Sequence, residues 1–198
     1  MKIYFARHGQ TDWNLLGKVQ GTTDIPLNET GIAQAHRLCE KIKEENIDIE
    51  KIYTSSQIRA VQTAQIVDER YRVGYEIVKG LEEMNLGDFE GHTWNEINAL
   101  FPKELQYWNE DRRYHTSPNG ESYQMVIERV FTALDHIIGQ HDTASDKSIL
   151  IVSHGAIIAT LIAMQQDPPF SDYRIAVENA TPVEFSMKKL EEKRERLR

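Results

Sequence analysis

Cysteine is almost absent: Cys39 is the only one in 198 residues. That excludes a disulfide framework within the chain and a cysteine-rich zinc site, and it suits a reducing compartment. Positive charge is scarce as well, with 23 Lys and Arg against 31 Asp and Glu and a formal net charge of −8. A surface of that sign does not neutralise a nucleic-acid backbone, so any anionic ligand must be held by a few cations gathered in one place. Long apolar runs are missing too. The longest, 156–164, is broken by Thr160, whereas a membrane span needs roughly 20 residues. Residues 3–6 give only four apolar positions before Arg7, short of the roughly 7–15 of a secretory leader. The expectation is a cytoplasmic protein with no membrane or nucleic-acid partner.

What is present is ordinary for a globular chain: 40% hydrophobic and 27% charged residues. The length fits one domain, large enough to bury roughly 70% of its unfolded surface. Ile3 to Ala6 reads as a buried strand ending at Arg7-His8-Gly9. Residues 11–27 have no period and read as loop. Asn28 is a helix N-cap, followed by an apolar face of Ile32, Ala35, Leu38, Cys39 and Ile42, where Cys39 is a core residue. Ile52 to Ser55 is a second strand, Gln57 to Tyr71 a helix, and Tyr75 to Val78 a third strand. Residues 81–91 are acidic and turn-rich, hence a loop. Short aromatic-rich helical pieces occupy 93–119, a helix 121–138, and the clearest strand 148–153, which runs into His154-Gly155 and an apolar helix over 156–165. A last strand lies near 181–187.

Strands alternating with helices predict a three-layer α/β/α sandwich on a mostly parallel sheet, with a lid insertion at about 93–120. The single domain is expected over 1–187. The tail, 188–198, carries six basic and three acidic residues and reads as a frayed, solvated helix end.

In open α/β sheets, ligands bind beyond the carboxyl ends of the strands. Arg7-His8, Ser55-Ser56 leading to Arg59, His154-Gly155 and the loop carrying Glu83 all fall there. Two histidines, two arginines and one carboxylate match what phosphoryl transfer needs: a nucleophile, cations for the non-bridging oxygens, and an acid for the leaving alcohol. His36, His92, His115, His136 and His141 show no metal-ligand spacing, and His141-Asp142 reads as a solvated loop. No metal and no cofactor are expected.

The blocks Arg7-His8-Gly9-Gln10-Thr11 with Asn14, Gln20-Gly21 with Asp24 and Pro26-Leu27, Thr54-Ser55-Ser56 with Arg59-Ala60, Leu81-x-Glu83 with Gly87-x-Phe89-Glu90-Gly91, Pro118-Asn119-Gly120-Glu121-Ser122 and Val152-Ser153-His154-Gly155 follow one another along nearly the whole chain. In this order they resemble the histidine phosphatase superfamily, also called phosphoglycerate mutase-like, and within it broad-specificity and α-ribazole-type phosphatases. The resemblance implies that His8 becomes a phosphohistidine and Glu83 serves as general acid and then base. It also implies that Arg7, Arg59 and His154, with Asn14, Gly155, Thr11, Gln20 and Thr22 around them, hold the phosphoryl group.

The mutases of this superfamily usually carry Glu-Arg-His-Tyr-Gly at the general acid and a longer insertion after it. Here the residues are Glu83-Met84-Asn85-Leu86-Gly87. The departure favours hydrolysis of small phosphomonoesters, the alternatives being a cofactor-dependent phosphoglycerate mutase and an inactive phospholigand-binding relative. Ala159 stands where many relatives place an arginine. In the lid, Trp94, Tyr107, Trp108 and Tyr114 are candidates to pack on an organic group, and Arg112 and Arg113 to pair with a carboxylate or second phosphate. Oligomeric state is not legible in the sequence.

Overall fold

Apolar runs that end in polar, chemistry-bearing residues become neighbouring strands in the computed structural model, which describes residues 1–172 and 175–197. Strand β1 (Lys2–Arg7) pairs in parallel with β4 (Ser148–Ser153), from Lys2 opposite Ser148 to Arg7 opposite Ser153. On the other side of β4 lies β2 (Ile49–Thr54), then β3 (Tyr75–Ile77), both parallel. The edge strand β5 (Pro182–Phe185) runs antiparallel to β1. Pro182 cannot donate to a ladder and is tolerated at the start of such an edge. Among the described residues the sheet order is β3-β2-β4-β1-β5.

All six residues of β4 are buried, as expected of a parallel strand covered on both faces, which reads as a continuous apolar run. Side chains alternate between two cores. Tyr4, Ala6, Leu150 and Val152 face the helices α2 (Glu29–Glu44) and α3 (Ile58–Tyr71). Ile3, Phe5, Ile149 and Ile151 face α6 (Tyr123–Ile138) and α7 (Gly155–Met164). Each fully buried Ile, Leu or Phe contributes roughly 1.5–3 kcal/mol relative to exposure. The three-layer sandwich expected from the alternating elements is the architecture observed. Between β1 and α2 lies α1 (Asp12–Leu15), capped by Thr11. The lid consists of α4 (Trp94–Leu100) and α5 (Pro102–Glu110).

Four details depart from the sequence reading. Ile32, expected on the buried face of α2, is 43% exposed. The first-turn position against the core is Gly31, where a Cβ would lie 2.1 Å from the carbonyl oxygen of Gln10. The acidic stretch 81–91 is anchored by fully buried Leu81, Met84 and Phe89, with a 3-10 turn at Gly87–Phe89. The loop bearing Glu83 is therefore held by the core beneath it. His141 is no solvated loop residue: its Nε2 meets the Tyr53 hydroxyl at 2.8 Å and its Nδ1 meets Glu50 at 2.6 Å. Finally, the tail expected to fray forms α8 (Met187–Leu197). Leu190 is fully buried, Arg194 pairs with Asp135 at 3.0 Å, and its guanidinium lies 4.6 Å from the Phe131 ring. Met187 packs against the same core and Lys193 Nζ donates to Gln166 O at 3.0 Å, so few apolar residues dock the helix with help from its charges. Residue 198 of that tail lies outside the described residues.

Candidate active site

The β1–β4 register carries His8 and His154 to adjacent positions just beyond two neighbouring strands. The His8 amide donates to Ser153 O at 3.0 Å, and the imidazole centroids are 5.2 Å apart. A carbonyl can only accept, so the 2.7 Å contact between His8 Nδ1 and Gly9 O places the proton on Nδ1. In the neutral ring Nε2 is then a lone pair. Burial first, then the Arg7 and Arg59 charges, push the His8 pKa well below the ordinary histidine value. The ring is neutral at neutral pH.

Arg7 sits at the end of β1, its Nη1 donating to Val177 O at 2.8 Å. Gly155 allows this side chain to lie close, since a Cβ there would be 3.3 Å from Arg7 Nε. Arg59, on the first turn of α3, is wholly buried. Its Nη1 donates to Thr23 O and its Nη2 to Gly21 O, both at 2.8 Å. The Glu90 carboxylate secures that loop by accepting from the amides of Thr22, Thr23 and Leu86. His154 is the N-cap of α7, and its Nε2 lies 2.6 Å from the Ser55 hydroxyl. Burial, then Arg59 and other nearby groups, depress its pKa strongly as well.

Among the described residues, three of the buried nitrogens left without partners belong to this cluster: Arg7 Nε, Arg59 Nε and His154 Nδ1. An unsatisfied buried polar group costs about 1–3 kcal/mol. Orphaned donors grouped around one imidazole, beside the N-terminus of a ten-residue helix, form a cradle for a small anion. The donor set suits a phosphoryl group: two arginines and an imidazole, with no carboxylate among them. Among the described residues, no cluster of three or more His, Cys, Asp or Glu is arranged to hold a metal ion.

Glu83 completes the set from the loop after β3. Its Oε1 accepts from Met84 N at 2.9 Å and its Oε2 from Ala156 N at 3.2 Å, on the first turn of α7. Its own amide donates to Gln57 Oε1 at 2.7 Å. With Arg7, His8, Asn14, Gln20 and Gly155, it lines a cavity of about 660 Å³ that also reaches Trp94, Trp108 and Arg112.

Arg7, Asn14, Gln20, Arg112 and Gly155 line the cavity as expected, and the remaining residues expected to hold substrate divide into three groups. Arg59 and His154 are fully buried and do not line the cavity, though each keeps an unpartnered nitrogen. Thr11 is buried as the α1 cap, its hydroxyl donating to Gln20 Oε1 at 2.9 Å, so it supports a lining residue without lining the cavity itself. Thr22 and Arg113 are not part of the cavity wall. The Thr22 hydroxyl bonds Glu90, and Arg113 Nε bonds Gln124 at 3.1 Å while its guanidinium lies over Tyr114 and Phe170. Adjacent residues in irregular chain point different ways, which separates Arg112 from Arg113. Of the lid aromatics, Trp108 is core and stacks on Trp94, while Tyr107 and Tyr114 are exposed away from the cavity. Lys18 in the cavity wall and Asn179, whose Nδ2 donates to His8 O at 2.7 Å, went unsignalled in the sequence.

A mostly parallel α/β/α sandwich with this anion cradle at the carboxyl ends of its strands defines a phosphoryl-group site. The chain belongs to the histidine phosphatase superfamily (branch 1), whose family model matches residues 3–197. It is 32% identical over 189 residues to the uncharacterized phosphatase PhoE of Bacillus subtilis, covering 94% of this chain and 90% of that protein. It is also 32% identical over 170 residues to a 6-phosphofructo-2-kinase/fructose-2,6-bisphosphatase of Caenorhabditis elegans. That match takes in 86% of this chain but spans only 35% of the relative. The solved structure of the α-ribazole phosphatase from Shigella flexneri superposes with a TM-score of 0.77 at 26% identity, over 93% of this chain and 89% of that one. No helix among the described residues is long and apolar enough to cross a membrane.

Proposed function

We propose that the protein is a cytoplasmic phosphatase that hydrolyses small phosphomonoesters through a phosphohistidine on His8. One observation carries the reading: His8 Nδ1 is committed to Gly9 O, so Nε2 offers a lone pair among the unpartnered donors of Arg7, Arg59 and His154. Nε2 attacks phosphorus while the bond to the leaving oxygen breaks, and protonated Glu83 gives its proton to that oxygen. Water then attacks the phosphohistidine, Glu83 takes its proton, and the P–N electron pair returns to Nε2 as phosphate leaves. The three donors follow charge onto the non-bridging oxygens, and a well-aimed donor of this kind is typically worth about 10²–10³ in rate. The cavity extends past the phosphoryl cradle to Trp94 and Arg112, which leaves room for an organic leaving group. Met84 and Leu86, in place of the mutase residues, are buried and add no polar group to hold a reorienting intermediate.

The test is phosphate release from a panel of phosphomonoesters in EDTA, wild type beside His8→Ala, with acid-labile phosphoprotein trapped in single turnover. Release and trapping by wild type alone are expected. Interconversion of phosphoglycerates on adding a bisphosphate, without release, would move the reading to a mutase. Binding without turnover would move it to an inactive relative.

A further inference from the structure

The block Pro118-Asn119-Gly120-Glu121-Ser122 lies outside the phosphoryl cradle. Its backbone is pressed onto the segment that follows Glu83: a Cβ on Gly87 would lie 1.9 Å from Pro118 O, and one on Gly120 2.7 Å from Asn85 O. Glu121 and Asn85 then exchange hydrogen bonds. The Glu121 amide donates to Asn85 O, and Glu121 Oε2 accepts from Asn85 N, each at 2.8 Å. The same carboxylate receives a two-pronged contact from Arg129, Nε to Oε1 at 2.8 Å and Nη2 to Oε2 at 2.9 Å.

Arg129 has three further N–H groups, and all of them reach the Glu83 loop. Nη1 donates to Gly80 O at 2.8 Å and Glu82 O at 2.7 Å, and Nη2 to Glu83 O at 3.1 Å. All five guanidinium donors are thus used, two on Glu121 and three on the carbonyls immediately around Glu83. Only an arginine supplies five donors in a rigid fork; a lysine has three on a flexible stem.

We infer that Arg129 and Glu121 act as a positioning clamp that sets the distance between the Glu83 carboxylate and the leaving oxygen. The inference rests on the proposed acid role of Glu83. Neither residue lines the reaction cavity, so both act through Glu83. Misplacing a reacting group by about 1 Å costs on the order of 10²-fold in rate.

The experiment compares Arg129→Lys and Glu121→Gln with Glu83→Gln on two substrates. One is p-nitrophenyl phosphate, whose leaving group departs without a proton. The other is glycerol phosphate, whose alkoxide needs one. The measure is kcat/KM, which ends at the first irreversible step and so isolates leaving-group departure. Each clamp variant should lose about 10²-fold on glycerol phosphate and no more than about threefold on p-nitrophenyl phosphate. In the Glu83→Gln background, Arg129→Lys should add no further loss. Equal losses on both substrates, or a full extra loss in the double variant, beside a leaving-group-dependent Glu83→Gln, would overturn the clamp alone. A Glu83→Gln variant that loses equally on both substrates would overturn the acid assignment and the clamp with it.

Discussion

His8 and His154 face each other across 5.2 Å between ring centroids, tilted by 56°, and this spacing is inherited from the sheet. Arg7 and Ser153, the residues before them, are paired across β1 and β4. Adjacent strands lie about 4.8 Å apart. The separation of the two imidazoles therefore starts from the strand ladder, and both rings are buried, His8 at the inner wall of the cavity.

That burial makes stability sensitive to mild acid. In the unfolded chain both imidazoles titrate near 6.5, and in the folded protein desolvation and the arginines push both well below it. Between those limits the unfolded chain binds more protons, so stability falls as pH falls. Each histidine contributes a slope of up to about 1.4 kcal/mol per pH unit. Urea midpoints measured from pH 7 to pH 5 should decline less steeply for His154→Gln than for wild type. Parallel curves would show that His154 takes up its proton without unfolding.

Ser55 sets the form of His154. Its oxygen accepts from Gln57 N at 3.4 Å and lies 2.6 Å from His154 Nε2. A Ser55 hydroxyl that donates its hydrogen bond to the Nε2 lone pair leaves Nδ1–H as the donor toward the cradle. Ser55→Ala should lower kcat/KM by about 10²-fold, and nitrogen NMR of the His154 ring should show loss of the Nδ1–H tautomer. Unchanged nitrogen shifts would remove Ser55 from this role.

Gly31→Ala drives a Cβ against backbone, 2.1 Å from Gln10 O, two residues from the nucleophile. Overpacking of this kind costs about 1–3 kcal/mol, or roughly 2–12 °C in Tm for a chain of this size. Turnover should fall with it. Gly139→Ala is the control, because Gly139 has helical φ at −62° and its nearest neighbour to a Cβ is at 3.3 Å. A cool, inactive Gly31→Ala beside a near-native Gly139→Ala is the expected pair in a thermal scan.

Arg112 and Arg113 should behave differently despite their adjacency. Arg112 lies 4.3 Å from the Trp108 ring and lines the cavity, whereas Arg113 is turned to Gln124. Arg112→Ala should cost about 10-fold or more in kcat/KM for phosphomonoesters carrying a carboxylate or second phosphate. Arg113→Ala should leave the ranking of substrates as it is. A ranking untouched by Arg112→Ala would remove it from substrate selection.

The sheet and the cradle were legible because each key residue ends or follows an apolar run. His8 closes the run at Ile3–Ala6 and His154 the run at Ser148–Ser153, and the sequence itself marks where a strand stops. Arg129 was not legible. It lies 46 residues from Glu83 on an amphipathic helix, where an arginine reads as one more solvated charge. Its role depends on carbonyls of residues 80, 82 and 83, which carry no side-chain signal. The docking of α8 was hidden in the same way, because Met187 and Leu190 are followed by a run of charges too long for an apolar period to be read. Thr22 was misplaced for the opposite reason: it neighbours Gly21 in the motif, but its hydroxyl is spent on Glu90.

The lid stack has an optical consequence. Of the three tryptophans, Trp94 and Trp108 share the cavity wall and lie nearly parallel, 11° apart with centroids at 5.7 Å. Trp13 packs elsewhere, against Gly91 and Lys18. Anything that enters the cavity alters the surroundings of a stacked indole pair of which Trp94 is open to solvent. The protein thus carries its own dye: near-ultraviolet circular dichroism and emission should report occupancy without a label, and with the nucleophile deleted they should do so without turnover.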